Sequence, residues 1–204
     1  MNFFKNISFC HFVETTHSTN LLLNEMVEQE DESLFHDFFC VVSDFQTAGK
    51  GQGEKIWQSI KGENLLVSFY FQPDIFPSQQ IYFNYFFSLT IREVISMYVT
   101  HVYIKKPNDI WVGDKKIAGI LIEHHIQGEK LKYTIAGVGI NINQIQFDPA
   151  LPNPTSLKLL TGKNFCREII LEDIIQIGRK FFNKLQAEAF FELENEYESY
   201  NIIQ

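Results

Sequence analysis

The chain has 204 residues, with 17 Lys and Arg against 25 Asp and Glu, a formal net charge of −8. At 45% apolar and 21% charged residues the composition is that of an ordinary globular protein. That excludes a disordered or membrane-embedded chain and suits a single domain with a sizeable core. The acidic balance argues against an unassisted nucleic-acid binder, which normally presents a broad basic face.

In chain order, residues 9–14 read as a short strand. Ser18 reads as the N-cap of a helix to about Glu28, with Leu21, Leu22, Glu25 and Met26 at helical spacing. Phe38 to Phe45 is a candidate buried strand. Residues 46–64 break the pattern, with four glycines and no apolar period. Leu65 to Phe71 returns to strand, and Ser78 to Val99 fits a long helix. A strand at Val102 to Lys105 leads through Pro107-Asn108-Asp109 to Ile110 to Val112. Gly113-Asp114 turns the chain into a strand at Ile117 to His125, and Gly128-Glu129 turns it again into Lys132 to Ile142. Pro149, Pro152 and Pro154 punctuate a loop, with helices expected at about 155–161 and 170–188 and an acidic one to about Tyr200. The expected fold class is α+β, with a mixed or largely antiparallel sheet packed by helices, in one domain over residues 1–204.

Cys10, Cys40 and Cys166 are an odd, widely spaced set without a CxxC pair. Neither a disulfide framework nor a zinc knuckle follows. Met1 to Val13 lacks the continuous apolar run of a signal peptide, and no stretch reaches membrane-span length. A reduced, cytoplasmic setting is the expectation. The histidines, including the His124-His125 pair, do not suggest a metal site, because adjacent strand residues point to opposite faces. The twenty phenylalanines are expected to fill the core, and the Glu-rich end to be a solvated helix face.

The charges are uneven. Residues 1–40 hold seven acids and one base, Lys5, a regional charge of −6. Two short islands run the other way: Lys50, Lys55 and Lys61 against Glu54, and Lys105, Lys106, Lys115 and Lys116 against Asp109 and Asp114. Islands of this size suit a small polyanion better than a polymer. The plainer alternative is lysines scattered over solvated faces.

Three segments carry chemistry. In residues 46–57, Gly49, Gly51 and Gly53 alternate with Lys50 and Gln52. Closely spaced glycines let backbone N–H groups turn toward an anion, and Lys50 and Lys55 add counter-charge. The pattern is neither a Walker loop nor a dinucleotide fingerprint, and a plain surface loop ended by Trp57 fits equally. In the second segment, a hairpin would set Lys116 across from Asn108 and Asp109, although Pro, Asn, Asp and Gly are also the default turn residues. The third, Gly137-Val138-Gly139-Ile140-Asn141, puts two glycines inside a strand, which marks a bulge or a close approach by backbone or ligand.

Together, Ser18-Thr19-Asn20, QTAGKGQGEKIW, KKPNDIW with GDKKIAGILIE, and GVGININ resemble the biotin–protein ligases in order and spacing, over about residues 12–160. The resemblance implies a catalytic domain like that of class II aminoacyl-tRNA synthetases. It implies that ATP, with Mg²⁺, and biotin are joined into biotinyl-AMP, from which biotin passes to one lysine of a biotin carboxyl carrier domain. Ser18, Thr19 and Gln46 would then meet the ureido head of biotin, with Asn20 also among the biotin-binding residues, and Lys50, Gly51 and Gln52 would close over biotin and phosphates. Trp57 would pack by the adenine, with Lys55, Asn108 and Asn141 also serving ATP. Lys116 would reach the biotin carboxylate and α-phosphate. Asp109 would serve the magnesium–phosphate arrangement or the acceptor lysine, so that Lys116, Asp109 and Lys50 form the catalytic set. Gly119, Leu121, Gly137 and Gly139 would line a biotin tunnel.

The chain departs from the family in its loop, where Lys50, Gln52, Gly53 and Lys55 stand at positions usually rich in arginine, and at Lys106, often Trp. Its end at Gln204 leads us to expect no full C-terminal β-barrel, and its start near Ser18 no DNA-binding head. No DNA and no membrane partner is expected, and a homodimer is allowed. A lipoate ligase or octanoyl transferase is the alternative of similar chemistry, and a non-catalytic biotin or nucleotide binder the alternative from another class.

Overall fold

The computed structural model describes Phe4 and residues 9–53 and 55–201. Lys5 and Glu54, counted above, lie outside the described residues. The elements are β1 (Cys10–Thr16), α1 (Thr19–Gln29), β2 (Cys40–Gln46), β3 (Leu65–Phe71), α2 (Gln80–Ser96), β4 (Val102–Lys105), β5 (Asp109–Val112), β6 (Lys115–Gln127), β7 (Lys130–Ile140), α3 (Leu157–Thr161), α4 (Arg167–Gln186) and α5 (Phe190–Ser199). They build one seven-stranded sheet in the order β1-β2-β3-β7-β6-β5-β4. Only β1 and β2 pair in parallel; the other neighbours are antiparallel. The α+β expectation therefore holds, with a mixed sheet.

Element ends moved by a few residues, for local reasons. Phe38 stands outside β2 because its φ is +70°, a left-handed conformation that no strand continues. A short 3₁₀ turn, Pro77–Gln79, precedes α2. Ser18 does occupy the N-cap position of α1, in extended conformation, but its hydroxyl makes no capping bond. Among the described residues no helix is long and apolar enough to cross a membrane, and the cysteines there are free.

Side-chain alternation divides the sheet's two faces. On one, Val67, Phe69 and Phe71 of β3, Ala136, Val138 and Ile140 of β7, and Ala118 and Ile120 of β6 join the main core with α2 and α4. Phenylalanine dominates there: Phe38, Phe71, Phe83, Phe86 and Phe182 meet edge-on or tilted at centroid distances near 5 Å. The opposite face carries a smaller cluster, in which Leu23 and Val27 of α1 pack with Val41, Tyr70, Tyr133 and Ile135. Beyond α1 that face is uncovered by helix, and Gly119, Gly137 and Gly139 occupy its inward positions, Gly119 lying opposite Gly139.

The histidine pair splits between faces, as the strand period requires. His124 packs edge-on to Phe83 and bonds Thr134 Oγ1 at 2.9 Å, whereas His125 stacks on Tyr133. Burial, and secondarily the neighbouring His125, pushes the pKa of His124 down to about 4. Between about pH 6.5 and pH 4 the unfolded chain binds a proton at this position that the folded chain refuses. The folded state is accordingly destabilised as pH falls through that window, by about 2 kcal/mol after discounting for partial exposure. We expect His124→Gln to flatten this part of the urea-unfolding free energy against pH. An unchanged slope would remove His124 as its source.

Candidate active site

A cavity of ≈ 640 Å³ opens on the uncovered face, within the range of small-molecule sites. The residues that the family resemblance assigns to the site all line it: Ser18, Thr19, Asn20, Gln46, Lys50, Gly51, Gln52, Lys55, Trp57, Asn108, Asp109, Lys116, Gly119, Leu121, Gly137, Gly139 and Asn141. Lys61 and Lys115 of the basic islands do not; Lys61 faces Glu14 at 3.8 Å.

One end is closed and polar. Thr19 N–H donates to Gln46 Oε1 at 2.7 Å, and Thr19 Oγ1 lies 3.1 Å from the same oxygen. This turns the carboxamide of Gln46 so that its NH₂ points away from Thr19. Among the described residues none accepts from that NH₂ and none pairs with Ser18 Oγ, although Ser18 is buried. Asn20 is different. Its Nδ2 donates to Glu123 Oε2 at 2.7 Å and toward Leu121 O at 3.4 Å, while its Oδ1 lies 2.5 Å from Ser68 Oγ. A sequence reading that makes Asn20 a ligand contact is thus redirected: its amide is committed within the protein, and it packs on Gly137, where an added Cβ would fall 2.1 Å from its oxygen.

The middle is an apolar floor. Trp57 lies flat on the glycines, so that a Cβ on Gly139 would sit 2.3 Å from Cε2 and one on Gly119 2.8 Å from Cζ3 of its ring. Its place is therefore with the glycines read as a biotin tunnel, and the glycine-rich segment brings it there. That segment is a small hairpin: Lys50 bridges Ile56, Gly51 N–H donates to Lys55 O at 2.8 Å, and Trp57 N–H donates to Gly49 O at 2.8 Å. Gly53, with φ +63°, sits at its tip, leaving Lys50, Gln52 and Lys55 exposed over the cavity.

The far end carries charge. Lys116 Nζ lies 2.7 Å from Asp109 Oδ1 and 5.6 Å from the Trp57 ring centre. A β-bulge makes this pair. Ile110 faces Ala118, but Trp111 faces Lys116, so Ile117 is skipped. Ile117 and Ala118 both enter the core, and Lys116 turns to the cavity face with Asp109 and Trp111. Its main chain is fixed by bonds from its N–H to Asn153 O and from Thr155 N–H to its carbonyl, 2.8 and 2.9 Å. The side chain of Asn108 donates to Ile120 O, and Asn141 is buried against Asn64. Both hold the walls as much as they offer themselves to a ligand.

Sequence reasoning missed part of the lining. Trp111 lies under Lys105 Nζ, 4.1 Å from its ring centre. Phe147, Leu151, Pro152 and Pro154 close the far wall; the proline cluster had signalled only a loop. Lys106 also lines the cavity but is held by Glu198 of α5 at 2.6 Å, and Glu192 and Glu196 face Lys184, so the Glu-rich end is partly engaged in ion pairs rather than only solvated. Among the described residues no group of three or more His, Cys, Asp or Glu could hold a metal, and Asp109 is the one carboxylate in the lining.

With this geometry in hand, a model of the biotin/lipoate A/B protein ligase family matches residues 12–141. The bifunctional ligase/repressor BirA of Bacillus spizizenii is 29% identical over 166 residues, 78% of this chain and 50% of that protein. Biotin–protein ligase 2 of Arabidopsis thaliana is 29% identical over 173 residues, 76% of this chain and 49% of that protein. The chain spans about half the length of these curated relatives. Among solved structures, the biotin protein ligase from Aquifex aeolicus in complex with biotin and ATP superposes with a TM-score of 0.76 at 23% identity, over 95% of this chain and 78% of that one. The Leishmania major enzyme with biotinyl-5-AMP gives 0.76 at 22%, over 95% and 81%. These establish the likeness of fold.

The floor makes a direct prediction. Gly139→Ala places a methyl in the Trp57 ring and must lift it off the sheet. In a Trp111→Phe background we expect Trp57 emission to shift to the red and the fold to lose about 1–3 kcal/mol of stability from overpacking. Unaltered emission would show that the ring does not rest there in solution.

Proposed function

Since the chain belongs to the biotin/lipoate A/B protein ligase family, we propose that it adenylates biotin and transfers it to a lysine of a biotin carboxyl carrier domain. We further propose that the described residues act as one catalytic unit. The observation that carries this reading is the position of Lys116, whose ammonium lies 3.3 Å from a Cβ built on Gly119, at the end of the apolar floor and beside Asp109. An acid lying along the floor, head in the polar end, brings its carboxylate to that ammonium.

Adenylation requires two anions to meet. A carboxylate oxygen of biotin attacks the α-phosphorus of ATP, the bond to the β-phosphate oxygen breaks, and pyrophosphate leaves. Lys116 opposes the charge gathering on carboxylate and α-phosphate, a fixed cation that needs no reorganisation during the step. Lys50, Lys55 and Lys105 line the approach for the phosphates. Mg²⁺ prefers few carboxylates together with phosphate and water oxygens, and a lining in which Asp109 is the single acid among the described residues fits an ion carried in on the triphosphate. There it would neutralise phosphate charge. In the second step the acceptor amine attacks the mixed anhydride, AMP departs, and the amine proton must go to a base. Asp109 is placed to receive it. The walls of Trp57, Phe147, Leu151 and Pro154 keep water from the anhydride meanwhile.

The polar end favours biotin over lipoate. A dithiolane ring offers no strong donor or acceptor and would leave Ser18 and Gln46 unpaired, at about 1–3 kcal/mol for each buried group. A ureido head supplies a carbonyl for Gln46 and N–H groups for hydroxyl oxygens. Repression, named for the Bacillus relative, falls outside the reading.

Pyrophosphate release with ATP and Mg²⁺ should be faster with biotin than with lipoate, and label should pass to a carrier domain. Turnover with lipoate alone would overturn the assignment, and tight biotin binding without transfer would favour a non-catalytic binder. Lys116→Ala should keep biotin binding and slow adenylation by about 10²–10³-fold, the usual cost of removing one preorganised charge stabiliser. An unchanged rate would take Lys116 out of the chemistry.

A further inference from the structure

The polar end contains two groups to which the family resemblance gave no role: Ser68 of β3, fully buried, and Glu123 of β6, the last residue of the GDKKIAGILIE segment. Proton counting shows what they do. Asn20 Nδ2 lies against Glu123 Oε2 and Leu121 O, both acceptors, so its orientation is fixed and its Oδ1 faces Ser68. An amide oxygen only accepts. The 2.5 Å contact must therefore use the single proton of Ser68. Ser68 Oγ also lies 2.7 Å from Thr19 Oγ1. With its own proton spent, Ser68 can only accept there, and Thr19 must donate. Gln46 Oε1 keeps the Thr19 N–H in any case.

The protons thus run one way, from Thr19 hydroxyl to Ser68, from Ser68 to the Asn20 carbonyl, and from the Asn20 amide to the Glu123 carboxylate. A chain of aligned hydrogen bonds ending on a negative charge is mutually polarised, and the oxygen at its head gains acceptor strength. Thr19, Ser68 and Asn20 are each no more than 4% exposed, so water offers little competition.

We propose that Ser68, Asn20 and Glu123 are positioning residues that hold the Thr19 hydroxyl as a polarised acceptor beside the Gln46 NH₂ donor, and so tune the polar end of the ligand pocket. The pocket then presents one acceptor next to one donor, the complement of an N–H beside a C=O in a cyclic urea or lactam. This deepens the biotin reading and rests on it. It assigns selection of the ligand head to a relay behind the residues that touch the ligand.

The test uses the full chain and three variants. Ser68→Ala breaks the relay and releases the Thr19 proton to Gln46 Oε1, 3.1 Å away, so the Thr19 oxygen loses the polarisation that strengthens it as an acceptor. Biotin affinity, measured by calorimetry, and the KM for biotin in pyrophosphate release should each worsen about tenfold. That is the fold-change for one hydrogen bond of about 1.4 kcal/mol. The KM for ATP should stay within about twofold, a split that general loosening of the fold would not produce. Ser68→Thr restores the hydroxyl and should recover most of the affinity. Glu123→Gln keeps an acceptor for Asn20 but removes the charge, and should weaken biotin by a smaller factor than Ser68→Ala. Biotin binding that is unchanged in Ser68→Ala, or biotin and ATP parameters that worsen together without rescue by Thr, would overturn the proposal. Failure of the wild-type chain to bind biotin would instead reject the biotin reading. In that event exchange of the Asn20 side-chain amide protons by NMR still decides the relay: faster exchange in Ser68→Ala upholds it, and equal exchange removes it.

Discussion

The site depends on one skipped residue in β6. Strict alternation from Gly119 would carry Ile117 to the cavity and Lys116 into the phenylalanine core. An uncompensated ammonium there is untenable, since burying an isolated charge costs far more than the few kcal/mol by which such folds are stable. The bulge at Ile117 sends two consecutive apolar residues inward and releases Lys116 to the other face. Burial on one side and the ion pair with Asp109 on the other then fix the same register. The residues at 153–155 hold the displaced main chain from outside the sheet. The cation's position is thus a property of the sheet, and sites built on strands are more sharply defined than sites built on loops.

The two faces of the sheet express one division of labour. Large rings on one face leave little unfilled volume and make the sheet rigid. On the other face, glycines at the paired inward positions of β6 and β7 leave volume that α1 does not cover. Side chains from distant segments enter that volume: Asn20 above Gly137, Trp57 above Gly119 and Gly139. A cavity assembled in this way has a stiff floor and a wall, the glycine-rich hairpin, tied down by only a few backbone bonds. Stiffness below and slack above suits a site that must admit a ligand and then exclude water.

Much of this was legible in the sequence, and the reason is local. The glycine pairs, the Pro-Asn-Asp turn and the Ser-Thr-Asn start of α1 each announce themselves within a few residues, and all three reached the same cavity. What could not be read depends on pairing across the chain. The bulge needs the register of β5 against β6, and nothing in Lys116-Ile117-Ala118 alone distinguishes it from regular alternation. Asn20 reads as a ligand contact because its neighbours are; only Glu123, more than a hundred residues away, shows that its amide is already engaged. Ser68 sits in an apolar strand where one serine carries no pattern. Phe38 belongs to a run of Phe and Val that predicts strand, and its left-handed φ comes from the tertiary bond of its N–H to Tyr70 O. Trp111 and Lys105 flank a turn whose residue types explain themselves, so the wall they build is visible only when folded.

Net charge is a poor guide to the sign of such a cavity. The chain carries −8 overall, yet several of its acids neutralise cations elsewhere. Glu14 faces Lys61, Asp44 holds Arg167, Glu198 holds Lys106, and Glu192 and Glu196 hold Lys184. Among the described residues no carboxylate pairs with Lys50, Lys55 or Lys105, and all three line the cavity, where Asp109 is the single acid and is taken up by Lys116. Low-dielectric walls concentrate the field of these unpaired cations within the cavity, while the acidic surface acts at distances where salt screens it. A net acidic chain can therefore still present a locally positive cavity. The total is set by composition, whereas the sign of the cavity is set by the pairing pattern that the fold imposes.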